Sequence, residues 1–207
     1  MSFLKDQCLL LRDFLRAGFR RTALWCAAGM AAAAVAGFAA ALAAPQLAET
    51  AIAQFMAMVD EAGIVDESGA LSSLGLLTNN WGAMLVSALY GFIPFLFLPA
   101  LSLASNGLLL GLMGGFYQVN GVSLLLYLAG ILPHGVFELP ALVLSVACGV
   151  TLCRNMCRVV TSSPNRTPMV ELGGDLLRVM LLLVFPMTVA AALLEAYVTP
   201  LVMGLFL

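Results

Sequence analysis

Long uncharged apolar runs, set between three clusters of charge, restrict this chain to one kind of solvent. It carries nine basic and eleven acidic side chains in 207 residues, and 62% of its residues are hydrophobic. A water-soluble domain is about 45–50% apolar and about 25% charged. So few charges cannot coat a water-facing globule of this size, and a soluble enzyme is excluded. The same arithmetic excludes a disordered chain, a collagen and a disulfide-stapled secreted domain. The chain belongs in a lipid bilayer. Its net charge of −2 and single lysine, Lys5, leave no basic surface for nucleic acid.

The charge clusters orient the spans. Residues 1–21 hold Lys5, Arg12, Arg16, Arg20 and Arg21 against Asp6 and Asp13. Residues 45–80 hold Glu49, Asp60, Glu61, Asp66 and Glu67 with no Lys or Arg, and 153–178 return to Arg154, Arg158, Arg166 and Arg178. Excess Lys and Arg marks the cytoplasmic side. The amino terminus and the loop 153–175 are therefore expected in the cytoplasm, and the loop 45–80 outside.

A hydrocarbon core about 30 Å thick takes about 20 apolar residues of helix. Five spans are predicted, at about 22–44, 81–99, 104–120, 122–152 and 176–200, which makes 22–207 a single transmembrane domain. The expected fold is an all-α, polytopic helical bundle, multi-pass in the cell membrane. Ala41-Leu42-Ala43 resembles a signal-peptidase site. The long region before it, the length of the apolar stretch and Pro45 behind it favour a retained anchor. The fourth segment contains Pro133 and Pro140, which predicts a break at Pro133. Residues 122–133 then either cross the bilayer or turn back within it.

Two segments read as amphipathic. In 1–21, Leu4, Cys8, Leu11, Leu15 and Phe19 recur at helical spacing opposite Lys5, Arg12, Arg16 and Arg20. Such a helix would lie on the cytoplasmic surface with its cations against anionic lipid. In 46–62, Ala48, Ile52, Phe55, Met56 and Val59 share a face, bordered by Glu49, Asp60 and Glu61. This outer segment is either interfacial padding or a docking surface for a partner.

The cysteines are Cys8, Cys26, Cys148, Cys153 and Cys157, none in the external loop. Cys153 and Cys157, one helical turn apart, read as reduced thiols packing as small apolar groups. There is no CxxC, no HExxH, no paired Cys/His spacing and no P-loop lysine beside the glycines at 111, 114 and 115. No cofactor, metal or nucleotide is expected, and no catalytic residue is assigned. The glycines instead let helix backbones approach closely.

Ionisable groups within spans are costly and point to function by default. This chain has His134, its single histidine, with Glu138 four residues on, and Glu195 in an apolar run of the last span. On a helix, His134 and Glu138 share a face within hydrogen-bonding reach. The trio is either a polar centre that moves a proton or positions a ligand, or a structural clasp. As a metal pair, His134 and Glu138 need further ligands, and Glu195 is the one obvious donor. Asn79 and Asn80 open the second span, and Asn106 and Asn120 bracket the third.

The run Leu132-Pro133-His134-Gly135-Val136-Phe137-Glu138-Leu139-Pro140-Ala141 resembles the signature of the stage II sporulation protein M family. Asn79-Asn80 ahead of the second span, Asn106-Gly107 with Gly111 in the third, and Glu195 with Pro200 match as well. The resemblance covers residues 75–200. It implies an integral membrane protein of about five helices. The founding member works with a peptidoglycan hydrolase and a second membrane-anchored partner during engulfment, as a scaffold without a hydrolase domain.

Two functions follow. The first is a non-enzymatic membrane scaffold that recruits envelope proteins. The second is a small oligomeric transporter or channel subunit built on His134, Glu138 and Glu195, with the glycine-rich third span as a self-association surface.

Overall fold

A computed structural model of the chain describes residues 2–61 and 72–206, and all regular structure among them is helical. The α-helices are α1 (Ser2–Phe14), α2 (Arg20–Ala43), α3 (Pro45–Glu61), α4 (Ser73–Leu89), α5 (Leu98–Val119), α6 (Leu124–Val160), α7 (Met169–Val179), α8 (Phe185–Leu193) and α9 (Thr199–Met203). Among the described residues, four continuous stretches are long and apolar enough to cross a membrane: Phe3–Ala43, Leu98–Val119, Leu124–Val160 and Met169–Met203. The molecule is the all-α polytopic bundle that the apolar runs predict. Its outer surface is apolar too, with Trp25, Val35, Leu101 and Leu201 each more than half exposed. Patches of that kind need lipid or protein over them.

The first stretch is divided by Gly18, at φ 126°, a conformation that L side chains rarely adopt. The kink frees α1 from the axis of α2 and lets it dock on α7, where Arg178 Nε donates to Gln7 Oε1 at 2.7 Å. Of the predicted apolar face of α1, Leu11 and Phe19 are buried, while Leu4 and Cys8 stay exposed. Lys5, Arg12, Arg16 and Arg20 are all exposed.

Small residues bring α2 and α5 together. Gly37 lies against the Leu108 backbone, Gly107 against Met30, Gly111 against Ala34 and Gly115 against Ala41. A Cβ at Gly107 would stand 2.6 Å from the Met30 carbonyl oxygen, so backbone meets backbone along the seam. The sequence left this glycine face for self-association; the structure fills it within the chain, because α2 supplies matching alanines. The chain then turns at Ala44, and α3 lays Ala48 against Ala41 and Leu112. Ile52 is buried and Glu49 exposed. The side chains of Phe55, Val59, Asp60 and Glu61, and residues Asp66 and Glu67, lie outside the described residues.

Helix α4 starts at Ser73, ahead of the expected start at 81, because the Ser72 hydroxyl caps it by accepting from the Gly75 N–H at 3.1 Å. One 3₁₀ turn, Tyr90–Phe92, extends it. The turn into α5 places Phe95 and Phe97 at positive φ. Two thiols of α6 hold that turn. The Phe95 N–H donates to Cys157 Sγ at 3.2 Å, and Cys153 Sγ donates to the Ile93 carbonyl at 3.4 Å.

The central element is α6, 37 residues long, or about 55 Å at 1.5 Å per residue. It runs without interruption through Pro133 and Pro140. The expected break at Pro133 is therefore absent, and there is no separate re-entrant half-helix before it. A proline removes one backbone donor and frees one carbonyl, and packing on neighbouring helices lets the rest of the ladder persist. The core centres on this helix: Ala141, Val146, Ala147, Cys148 and Cys153 are sealed against α4, α5 and the C-terminal helices. Two buried hydroxyls bond between helices. Ser145 donates to the Met84 carbonyl, and Ser87 and Ser102 bond across α4 and α5 at 2.9 Å.

Candidate functional site

The C-terminal stretch Met169–Met203 is one helix that widens twice, into π turns at Met180–Val184 and Leu194–Val198. Each widened turn is followed two residues later by a proline, Pro186 and Pro200. A proline has no N–H to return to the preceding turn, and a wider turn re-pairs the backbone around that gap. At the second one, the Leu194 carbonyl accepts the Thr199 backbone N–H. Turns of this type recur at functional sites because they re-aim side chains. This one carries Glu195.

Opposite it, α6 presents His134 and Glu138. The nearest ligand atoms of His134, Glu138 and Glu195 all lie within 4.8 Å of one another. His134 Nε2 stands 3.8 Å from Glu138 Oε2, with 15% and 28% of the two side chains exposed. That gap is too long for a hydrogen bond. The clasp expected between these two residues is thus not a direct bond. Instead, His134 Nδ1 is held at 3.2 Å by Thr199 Oγ1, which itself donates to the Leu194 carbonyl at 3.2 Å. With the threonine proton committed to Leu194, Nδ1 is the donor to Thr199, and the network assigns the lone pair to Nε2. One ligand atom from each of the three residues thus stands within 4.8 Å of the other two. Among the described residues neither carboxylate has a hydrogen-bond donor.

The three groups line a cavity of about 760 Å³ between α4, α5, α6 and the C-terminal helix. Asn79, Asn80 and Asn106 line it as well. Counting helix rise from the α5–α6 turn at 120–123, His134 lies about 15 Å and Asn106 about 20 Å along its helix. The cavity therefore lies between the ends of the long apolar helices, well away from that turn.

The sequence-selected residues divide cleanly. His134, Gly135, Glu138, Leu139, Glu195, Asn79, Asn80 and Asn106 all reach the cavity. Gly107 instead faces Met30 in the α2–α5 seam, and Pro133 and Pro140 are outside the lining. Asn120 bonds its own helix end, at the Phe116 carbonyl. Sequence reasoning missed Thr199, which orients the imidazole, and the cavity tyrosines Tyr90, Tyr117 and Tyr127. Thr199 had one available signal: it follows Glu195 by four residues, directly before Pro200.

Comparison with known proteins adds the wider context. A family model described as Stage II sporulation protein M matches residues 23–200, reaching α2 and α3 as well as the motif-bearing part. The uncharacterized protein MJ0793 of Methanocaldococcus jannaschii is 30% identical over 125 residues, which is 60% of this chain and 69% of that protein. No solved structure matches the chain.

Proposed function

We propose that this chain, which belongs to the stage II sporulation protein M family, is the membrane-embedded passage unit for a cation, acting as a small transporter or channel subunit without enzymatic activity. The observation that carries this reading is the cavity among the apolar helices into which one imidazole, two carboxylates and three asparagines converge. An ionised carboxylate at the centre of a spanning helix costs about 2.5–3.5 kcal/mol by insertion scales. A bundle serving only as a scaffold has no need of two. All nine Lys and Arg residues lie at or before residue 21 or at and beyond 154, so neither carboxylate is there to neutralise a basic neighbour. In the proposed topology the amino terminus is cytoplasmic, α4 with its 3₁₀ extension is the fifth crossing, and copies associate through surfaces other than the α2–α5 seam.

The test is reconstitution into sealed liposomes, with dye-reported fluxes of protons, Na⁺, Mn²⁺ and Zn²⁺. At least one flux should exceed that of empty vesicles and fall to background in Glu138→Gln and Glu195→Gln proteins that remain monodisperse. Background flux for every ion in the unaltered protein overturns the reading.

The scaffold for envelope partners is the second reading. It is supported by α3, a helix outside the long apolar stretches whose Glu49 and Gln54 face outward. Crosslinked pull-down from native membranes should then recover a wall hydrolase or another envelope protein in fixed ratio, and lose it in Glu49→Gln.

A further inference from the structure

We infer that His134, Glu138 and Glu195 form a binding site for a divalent first-row transition metal ion, open on one side to the cavity. Binding stands by itself, and only the ion's role as cargo rests on the transport reading.

Three observations carry the inference. The first is donor geometry. Ligand bonds of about 2.0–2.2 Å place neighbouring donors of one ion about 3–3.6 Å apart. The three donors here already lie within 4.8 Å, the closest characterised pair at 3.8 Å. Side-chain rotations of about 1 Å would close the set around an ion.

The second is what the groups lack. Two carboxylates and an imidazole gather within 4.8 Å of one another with no cation of the protein's own nearby among the described residues. Arg154 is twenty residues along α6 from His134, about 30 Å away by helix rise. Such a set is neutralised either by protons on the carboxyls or by a cation between the donors, and the spacing is that of a bridged set rather than a hydrogen-bonded one.

The third is the orientation of the histidine. A metal-binding imidazole ordinarily gives its other N–H to a fixed acceptor, which sets the tautomer and the ring plane. The chain Leu194 carbonyl, Thr199 hydroxyl, His134 Nδ1 does this. The π turn that pairs the Leu194 carbonyl with Thr199 also carries Glu195, so one backbone irregularity positions both a ligand and the orienting hydroxyl.

The donor set narrows the ion. One imidazole with two carboxylates suits Mn²⁺, Fe²⁺, Co²⁺ or Zn²⁺, whereas Mg²⁺ and Ca²⁺ favour oxygen alone. From sequence Glu195 was the one obvious further donor for the pair in the His134 motif; the fold brings it there from 57 residues downstream. Three protein ligands leave coordination positions for water from the cavity, the form taken by exchangeable rather than sealed structural sites.

The experiment uses the full chain in detergent, purified without a polyhistidine tag and freed of metal by chelation. Calorimetric titration with Zn²⁺ should give one saturable site per chain. His134→Ala and Glu138→Gln should weaken it at least tenfold, while Glu49→Gln leaves it unchanged. Thr199→Val should weaken it by about 10–100-fold, and Thr199→Ser should restore it, which a merely bulky or structural role for Thr199 would not produce. Absence of a saturable site, or unchanged affinity in the Glu138 and Glu195 glutamine variants, overturns the inference. Should His134→Ala fail to fold, the unaltered protein loaded with Mn²⁺ still decides. Because the chain has a single histidine, pulsed electron-spin spectra must show coupling to one imidazole nitrogen, and a spectrum without it rejects the site. Metal binding without flux would remove the transport reading and keep the site. Proton flux without metal binding would do the reverse.

Discussion

At the scale of single residues, position along the helix decides what each polar or small group does. Thr199 and Thr188 both sit in the C-terminal helix, and both donate to carbonyls of the preceding turn. Only Thr199 also meets a histidine. Gly18 and Gly29 make a second pair. Neither has a neighbour in the space a Cβ would fill, yet Gly18 alone has positive φ. Gly18→Ala should therefore destabilise the protein by about 1–2 kcal/mol through backbone strain, lowering its melting temperature in detergent. Gly29→Ala should leave it level or raise it, since alanine is the better helix former. Equal behaviour of the two would show that the kink at Gly18 does not persist in the membrane. Most site residues were legible in the sequence because charge in an apolar run is rare. His134 and Glu138 announced themselves by four-residue spacing, and Glu195 by isolation. Thr199 offered only its place between Glu195 and Pro200: a hydroxyl in a membrane helix ordinarily bonds its own backbone, and that spacing does not reveal the widened turn beside it.

At the scale of elements, helices were readable from composition, but their ends and partners were not. The seam between α2 and α5 shows why. Glycines at 107, 111 and 115 signal close approach, yet they do not say whether the approaching backbone belongs to the same chain. Gly111→Val would drive a side chain into the Ala34 backbone. Overpacking of this kind costs about 1–3 kcal/mol, and a backbone obstacle that cannot swing aside puts it at the upper end. The expected result is a lower melting temperature with the α2–α5 pair loosened, read as faster hydrogen exchange in both helices together. Exchange confined to one helix would contradict the seam. The prolines of α6 give the opposite result. Pro133→Ala should keep the protein folded and raise its thermal stability slightly, since the helix already passes through that position and alanine would restore a donor to the Ala129 carbonyl. A proline reads as a break from sequence alone because the flanking helices that hold its neighbours in place are distant in the chain.

At the scale of the whole molecule, all positive charge gathers at one end of the helices and the polar cavity lies between the ends. The proposed orientation makes a direct prediction. Cys8 is exposed, whereas Cys26, Cys148 and Cys153 are buried. A membrane-impermeant maleimide should label Cys8 in inside-out vesicles and leave it untouched in intact cells; the opposite pattern would invert the topology. The widened turn at Leu194–Val198 has a wider consequence. It amounts to one surplus residue absorbed into a helix, and each residue turns a helix by about 100°. Deleting Val198 would let the backbone relax to an ordinary helix while swinging Thr199 a quarter-turn or more relative to Glu195. Family members can therefore keep every glutamate, histidine and threonine in aligned columns and still lack the metal-binding constellation. A gap of one position before the proline would be the heritable mark that separates the two kinds.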